Sequence, residues 1–186
     1  MAMKSTVYKA TLQLSDMDRN VYGEHSLTLA LHPSETEERL MVRLLAFALN
    51  VPADDHGGAL VAARGLSDTD EPDLWHLDLT GRLMHWIEMG QPDDRRMSKA
   101  CGRADRVSIY TYSVSSAVWF AGIKNKITRL RNLSIWQIDA EASQAMAALA
   151  RRAMQLQVTV QDGQIWLSSE HGMVELQPQA LWAPEA

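Results

Sequence analysis

At 186 residues the chain is long enough for one domain with a substantial core and too short for two of ordinary size. Its 46% apolar and 22% charged content is that of a globular protein, and no window approaches the ~18 uninterrupted apolar residues of a membrane span. A net charge of −5 argues against indiscriminate nucleic-acid binding by the molecule as a whole, a single cysteine excludes an internal disulfide, and the first residues lack the apolar run of a secretory signal, so a cytoplasmic setting and no membrane partner are expected.

In chain order, residues 7–14 alternate well enough for a strand, and residues 26–31 read as its partner across a polar turn at 15–20. A helix follows, with Ser34 as the expected cap and Glu37 completing a capping box; Leu40, Met41, Leu44, Leu45 and Ala48 recur on one face. Asn50 and Pro52 end it, and residues 54–65 read as loop with some strand. The acidic stretch 68–73 leads into a strand over 74–79, Thr80-Gly81 read as a tight turn, and residues 82–89 return. Pro92-Asp93-Asp94 open a short helix to about residue 104, followed by a strand at 107–112, a helix at 116–130, a strand at 133–138 and an Ala-rich helix at 141–154. Residues 156–160 and 164–167 form a final hairpin across Asp162-Gly163.

The strand–helix–strand–helix–strand order predicts parallel neighbours, and the hairpins make the sheet mixed: an α/β fold, a single domain over 1–178 with a mixed β-sheet and flanking helices, and a loose tail at 179–186. No Gly-rich phosphate loop follows any strand, so no nucleotide cofactor is expected. Six histidines lack zinc-ligand spacing, and no serine has a Gly-x-Ser-x-Gly context. His85 reads as a satisfied strand residue. Cys101, among Met97, Ala100 and Ala104, reads as core.

Charge is segregated. Residues 95–131 hold 9 of the 18 Lys/Arg against Asp105 alone, while residues 1–94 hold 16 of the 23 acids. Within the basic stretch Arg96, Lys99 and Arg103 share a helical stripe, and Lys124, Lys126 and Arg129 follow. Arg96, Arg103, Lys124, Lys126 and Arg129 are therefore candidate phosphate contacts; solvated helix faces are the alternative.

Register supplies the sharpest expectation. If Thr80-Gly81 form the loop, Trp75 faces Trp86 and Asp73 faces Glu88 on one side of the ribbon. Opposed acids beside two indoles need relief, which a shared proton, a neighbouring Lys or Arg, or a divalent cation can provide.

Several of these segments resemble the YaeQ family of bacterial proteins: Arg64-Gly65-Leu66-Ser67, Asp70-Glu71-Pro72-Asp73-Leu74-Trp75, Trp86-Ile87-Glu88-Met89-Gly90 and Lys99-Ala100-Cys101. His32-Pro33-Ser34-Glu35-Thr36 and Gln161-Asp162-Gly163 add to the resemblance, which runs from about residue 3 to 177. It implies a restriction-endonuclease-like (PD-(D/E)xK) core, with Pro72-Asp73 as the first acidic motif and Glu88 as the second, together holding Mg²⁺ or Mn²⁺. The lysine expected two residues beyond the glutamate is replaced by Gly90, and Lys99 on the next helix is the substitute. A further glutamate often comes from the first core helix; Glu38 is the choice, with Glu35 behind it. The expected function is a Mg²⁺-dependent phosphodiesterase acting on nucleic acid. The alternatives are a non-catalytic module binding nucleic acid or a transcription-apparatus protein, and a small-molecule hydrolase.

Overall fold

A computed structural model describes residues 5–184. It divides into two compact units: the described residues up to Ala53 with Glu141–Gln177, and Asp54–Ala140 with the described residues from Pro178 onward. The expected α/β class holds, with mixed strand directions. The expectation of one sheet does not, because each unit builds its own.

The first unit contains β1 (Thr6–Asp16), β2 (Val21–Leu31), α1 (Glu37–Asn50) and, after α4 (Ala140–Ala148), the strands β8 (Ala153–Gln161), β9 (Gln164–Ser169) and β10 (Gly172–Leu176). Its sheet has the order β10-β9-β8-β1-β2, antiparallel except for the parallel pair β1–β8. Period-two alternation buries Tyr8, Ala10, Leu12 and Leu14 of β1 and Met154, Leu156, Val158 and Val160 of β8. The pairing of β8 with β1 extends it three residues before the predicted start, and α4 ends earlier than the Ala-rich run suggested. The N-cap of α1 is Thr36, whose Oγ1 accepts from the Arg39 amide at 3.1 Å, not Ser34, which is occupied by His32 Nδ1 at 2.7 Å. Every residue from 40 to 48 of α1 is buried, so the predicted stripe was only part of its contact surface.

The second unit contains β3 (Leu60–Ala62), β4 (Leu74–Leu77), β5 (Leu83–Met89), α2 (Asp94–Arg103), β6 (Arg106–Thr111), α3 (Ser116–Ile123), β7 (Leu133–Gln137) and β11 (Gln179–Trp182). The order is β11-β7-β6-β5-β4-β3, with β5, β6 and β7 parallel as the alternating pattern required. Residues 179–182 are the edge strand paired with β7, which corrects the expected loose tail; Leu181 and Trp182 pack against the core. That core joins Met97 and Ala100 of α2 to Val107, Ile109, Ile127, Leu133 and Ile135. Burying each Leu or Ile contributes about 1.5–3 kcal/mol. The helix predicted over 116–130 stops at Ile123. A 3₁₀ turn over Lys124–Lys126 then buries Ile127, so Lys124, Lys126 and Arg129 lie exposed around a turn and not along one helical ridge.

The β4–β5 register pairs Leu74 with Ile87, Trp75 with Trp86 and His76 with His85, as predicted. The turn differs. Asp78 Oδ1 accepts from the amides of Thr80 and Arg82 and from Thr80 Oγ1, and Gly81 takes φ +87.

Candidate functional site

Asp73 immediately precedes β4 and is 1% exposed. Its amide donates to Ile87 O at 3.2 Å, its carbonyl accepts from the Ala63 amide at 3.0 Å, and Oδ2 accepts from the Met89 amide at 2.8 Å. The Gly65 amide donates to Pro72 O at 2.9 Å, which brings Gly65 against the carboxylate. A Cβ at Gly65 would stand 2.7 Å from Asp73 Oδ1, and its φ is +52. Only glycine fits both demands. Gly65→Ala is expected to cost about 1–3 kcal/mol in urea unfolding. It should also displace the carboxylate, whereas a substitution at exposed Gly57, where a Cβ meets nothing within 4 Å, should do neither.

Glu88 is the sixth residue of β5 and 6% exposed. Burial raises its pKa above the ordinary carboxylate value, the Asp73 charge adds to this, and the Arg96 hydrogen bonds and charge oppose both. Arg96, in the first turn of α2, donates from Nε to Glu88 Oε1 at 2.5 Å and also reaches that oxygen through Nη2. Glu88 Oε2 is buried and accepts no hydrogen bond of ordinary geometry from the described residues. The Trp86 indole N–H, buried and likewise without a normal hydrogen bond, only weakly favours the charged carboxylate.

The three cations of the α2 stripe converge on the 68–72 loop that leads to Asp73. Arg96 donates to Thr69 O at 2.5 Å and Glu71 O at 3.1 Å, Arg103 donates to Asp70 O at 2.7 Å, and Lys99 Nζ pairs with Asp70 Oδ1 at 2.6 Å. The Lys99 hydrogen bond and charge hold Asp70 below the usual carboxylate range. The guanidinium carbons of Arg103 and Arg96 lie 5.2 and 5.8 Å from the Trp86 ring centroid. The stripe is therefore a brace, with Arg96 as the cation on the buried acid and Lys99 on the exposed rim. Gly90, at the position of the missing lysine, has φ +108, which an L residue rarely adopts.

No cluster of three or more His, Cys, Asp or Glu suited to a metal occurs among the described residues. Two buried carboxylates, one with an unbonded oxygen, nevertheless form a hard all-oxygen donor set of the size Mg²⁺ uses when water and substrate complete its shell. On that test the residues fit Mg²⁺ or Mn²⁺. They do not fit zinc.

A family model described as YaeQ protein matches residues 1–178. The chain belongs to the YaeQ family. It is 44% identical over 177 residues to the uncharacterised YaeQ protein of Escherichia coli K12, covering 95% of each chain, and 42% identical over 185 residues to that of Salmonella typhi, covering 99% of each. The crystal structure of YaeQ from Xanthomonas axonopodis pv. citri superimposes with TM-score 0.91 at 48% identity, over 97% of this chain and 100% of that one. The structure of YaeQ from Pseudomonas syringae gives 0.89 at 38%, over 96% and 97%. Asp73 and Glu88 both lie within the residues that the YaeQ model matches.

The structure distributes the remaining predicted residues of this YaeQ chain as follows. Asp73, Glu88, Arg96, Lys99 and Arg103 come together in the second unit. Glu38 belongs to the first, where its Oε1 accepts a 2.6 Å hydrogen bond from Ser143 Oγ. Glu35, its understudy, is buried with Arg39 and Arg43 on its two oxygens at 3.2 and 3.1 Å. Cys101 is partly buried, and burial pushes its thiol up to about 11, consistent with packing and not with a nucleophile. Sequence reasoning did not anticipate that Gly65 seats Asp73, nor that Arg96 takes Glu88.

Proposed function

We propose that this YaeQ chain is a divalent-metal-dependent phosphodiesterase acting on nucleic acid, with a PD-(D/E)xK-like core in the unit of the six-stranded sheet. The observation that carries the reading is the buried Oε2 of Glu88, a carboxyl oxygen without a hydrogen bond of ordinary geometry among the described residues, in the same site as a second buried carboxyl group. Such an arrangement is costly to a fold and is kept where charge is to be bound. Asp73 and Glu88 would hold the ion. When bound, it would supply Lewis acidity and lower the pKa of a coordinated water. Asp73 is aimed by the Met89 amide and Gly65, while Lys99 and Arg103 hold the preceding loop in place for it. Incubating the protein with Mn²⁺ and end-labelled DNA or RNA should give cleavage that Glu88→Gln abolishes; persistent cleavage in that variant would assign the activity elsewhere.

The Arg96–Glu88 ion pair favours a second reading, a nuclease-fold module that binds nucleic acid without cutting it. That reading uses Lys124, Lys126 and Arg129, exposed around one turn. Changing all three to Gln is then expected to lower the slope of log affinity against log salt by about 2–3 on DNA, at ~0.9 per lost phosphate contact. An unchanged slope removes this surface from the interface.

A further inference from the structure

We infer that Arg96 is the resident counter-cation of the acidic site, which holds Glu88 in the metal-free protein, yields it to the metal and then serves the substrate phosphate. The inference rests on the metal-site reading proposed above and adds to it a residue with two successive partners. Both Nε and Nη2 of Arg96 converge on the same oxygen, Oε1, leaving Oε2 buried and unbonded. A guanidinium fork matched to a carboxylate would engage both oxygens. The observed grip neutralises the acid and leaves one oxygen for another cation.

Arg96 also has partners that do not depend on Glu88. Nη1 donates to Thr69 O at 2.5 Å, Nη2 to Glu71 O at 3.1 Å, and the guanidinium lies over Trp86. Losing Glu88 would therefore leave it tethered at the site. A dication and a guanidinium on one carboxylate repel each other strongly in a poorly hydrated setting, so entry of the first displaces the second. The displaced guanidinium would stay tethered through Nη1 and Nη2 with its Nε–Nη2 edge released, an edge that suits two phosphate oxygens. Gly90, held at φ +108, is poorly suited to carry the lysine that would otherwise fill that role. The ligand class is a phosphodiester or phosphate anion entering with the metal.

The test is a calorimetric Mn²⁺ titration of the full chain as wild type, Arg96→Gln and Arg96→Lys, with and without inorganic phosphate. Removing the competing cation should tighten Mn²⁺ binding about tenfold in Arg96→Gln, the scale of one charged hydrogen-bonded contact. Phosphate should tighten Mn²⁺ binding in wild type and not in Arg96→Gln. Equal or weaker Mn²⁺ binding in Arg96→Gln overturns the competition, and equal phosphate coupling overturns the second role. Because Arg96 also braces the 68–72 loop, an independent readout uses the wild-type protein. Its Arg96 Nε resonance, assigned by its absence in Arg96→Lys, should move on adding Mg²⁺. A stationary signal while Mg²⁺ binds refutes the exchange. Heat of binding in wild type without the Arg96 effect sinks this inference alone, whereas no heat in any of the three folded proteins removes the metal site and this inference together.

Discussion

Asp73→Asn is expected to weaken Mn²⁺ binding at least ~100-fold while leaving the fold intact, because the amide oxygen keeps the acceptor that Met89 needs while the charge and the second acceptor oxygen are lost. The distinction matters at this position. Oδ2 takes the Met89 amide at 2.8 Å, so Asp73→Ala would orphan a buried N–H, an error costing about 1–3 kcal/mol, and would mix a folding defect into the binding result. Calorimetry gives the affinity and urea unfolding gives the stability. A metal site predicts the first collapsing with the second nearly unchanged. If both proteins take up Mn²⁺ with the same heat, the ion lodges elsewhere and the phosphodiesterase proposal falls. If neither does, the binding-module reading stands alone, and its salt-slope test at Lys124, Lys126 and Arg129 becomes the decisive one.

The Asp73–Glu88 neighbourhood was readable from register, yet partly through compensation. A two-residue loop at Thr80-Gly81 places Trp75 opposite Trp86. In the structure Asp78 bonds to Arg82 and Leu77 pairs with Leu83, so the loop is one residue longer, and a bulge between His76 and Leu77 returns the register to the predicted pairing. The alternation of buried residues controls which pairing is stable, and the turn adapts to it. The α2 stripe was equally legible as a set, but its members were interchangeable on a helical wheel. Two facts separate them. Arg96 lies in the first turn, closest in sequence to the end of the Glu88 strand, and its guanidinium can bond a carboxylate and two carbonyls at once where an ammonium on Lys99 serves as a point charge. The β10 strand was missed although Val174 and Leu176 alternate with exposed Met173 and Glu175; five residues after a tight turn give a weak signal alone, and pairing with β9 makes the strand. β11 depends in the same way on β7, a long-range partner that no local pattern reveals.

The stability of the fold should fall as the medium is acidified below about pH 6.5, and His85 should be a principal cause. The ring is 2% exposed, bonded through Nε2 to Ser108 Oγ at 2.8 Å and through Nδ1 to Arg106 Nη2 at 3.2 Å. Arginine can only donate, so Nδ1 accepts and the proton resides on Nε2, donated to Ser108. Burial, followed by the charges of Arg106 and His76, lowers the pKa from 6.5 to about 3. Between those values the unfolded chain binds a proton that the folded ring refuses, so stability rises with pH across that window and is lost as pH falls through it. The slope approaches ~1.4 kcal/mol per pH unit, a loss of about 2 kcal/mol by pH 5 and about 5 kcal/mol by pH 3. Urea unfolding at pH 7.5 and pH 5 should show this difference in the wild type and lose most of it in His85→Gln; parallel curves would mean the ring is already protonated in the fold. Glu88 lies three positions after His85 on β5, an odd offset, so the two side chains point to opposite faces of the strand, and the histidine is not placed to act as a base for a water at the acidic site. Any acid-side loss of activity thus carries a folding component from one face of β5 and a ligand component from the other, and His85→Gln is the variant that removes the first while leaving Asp73, Glu88 and Arg96 as they are.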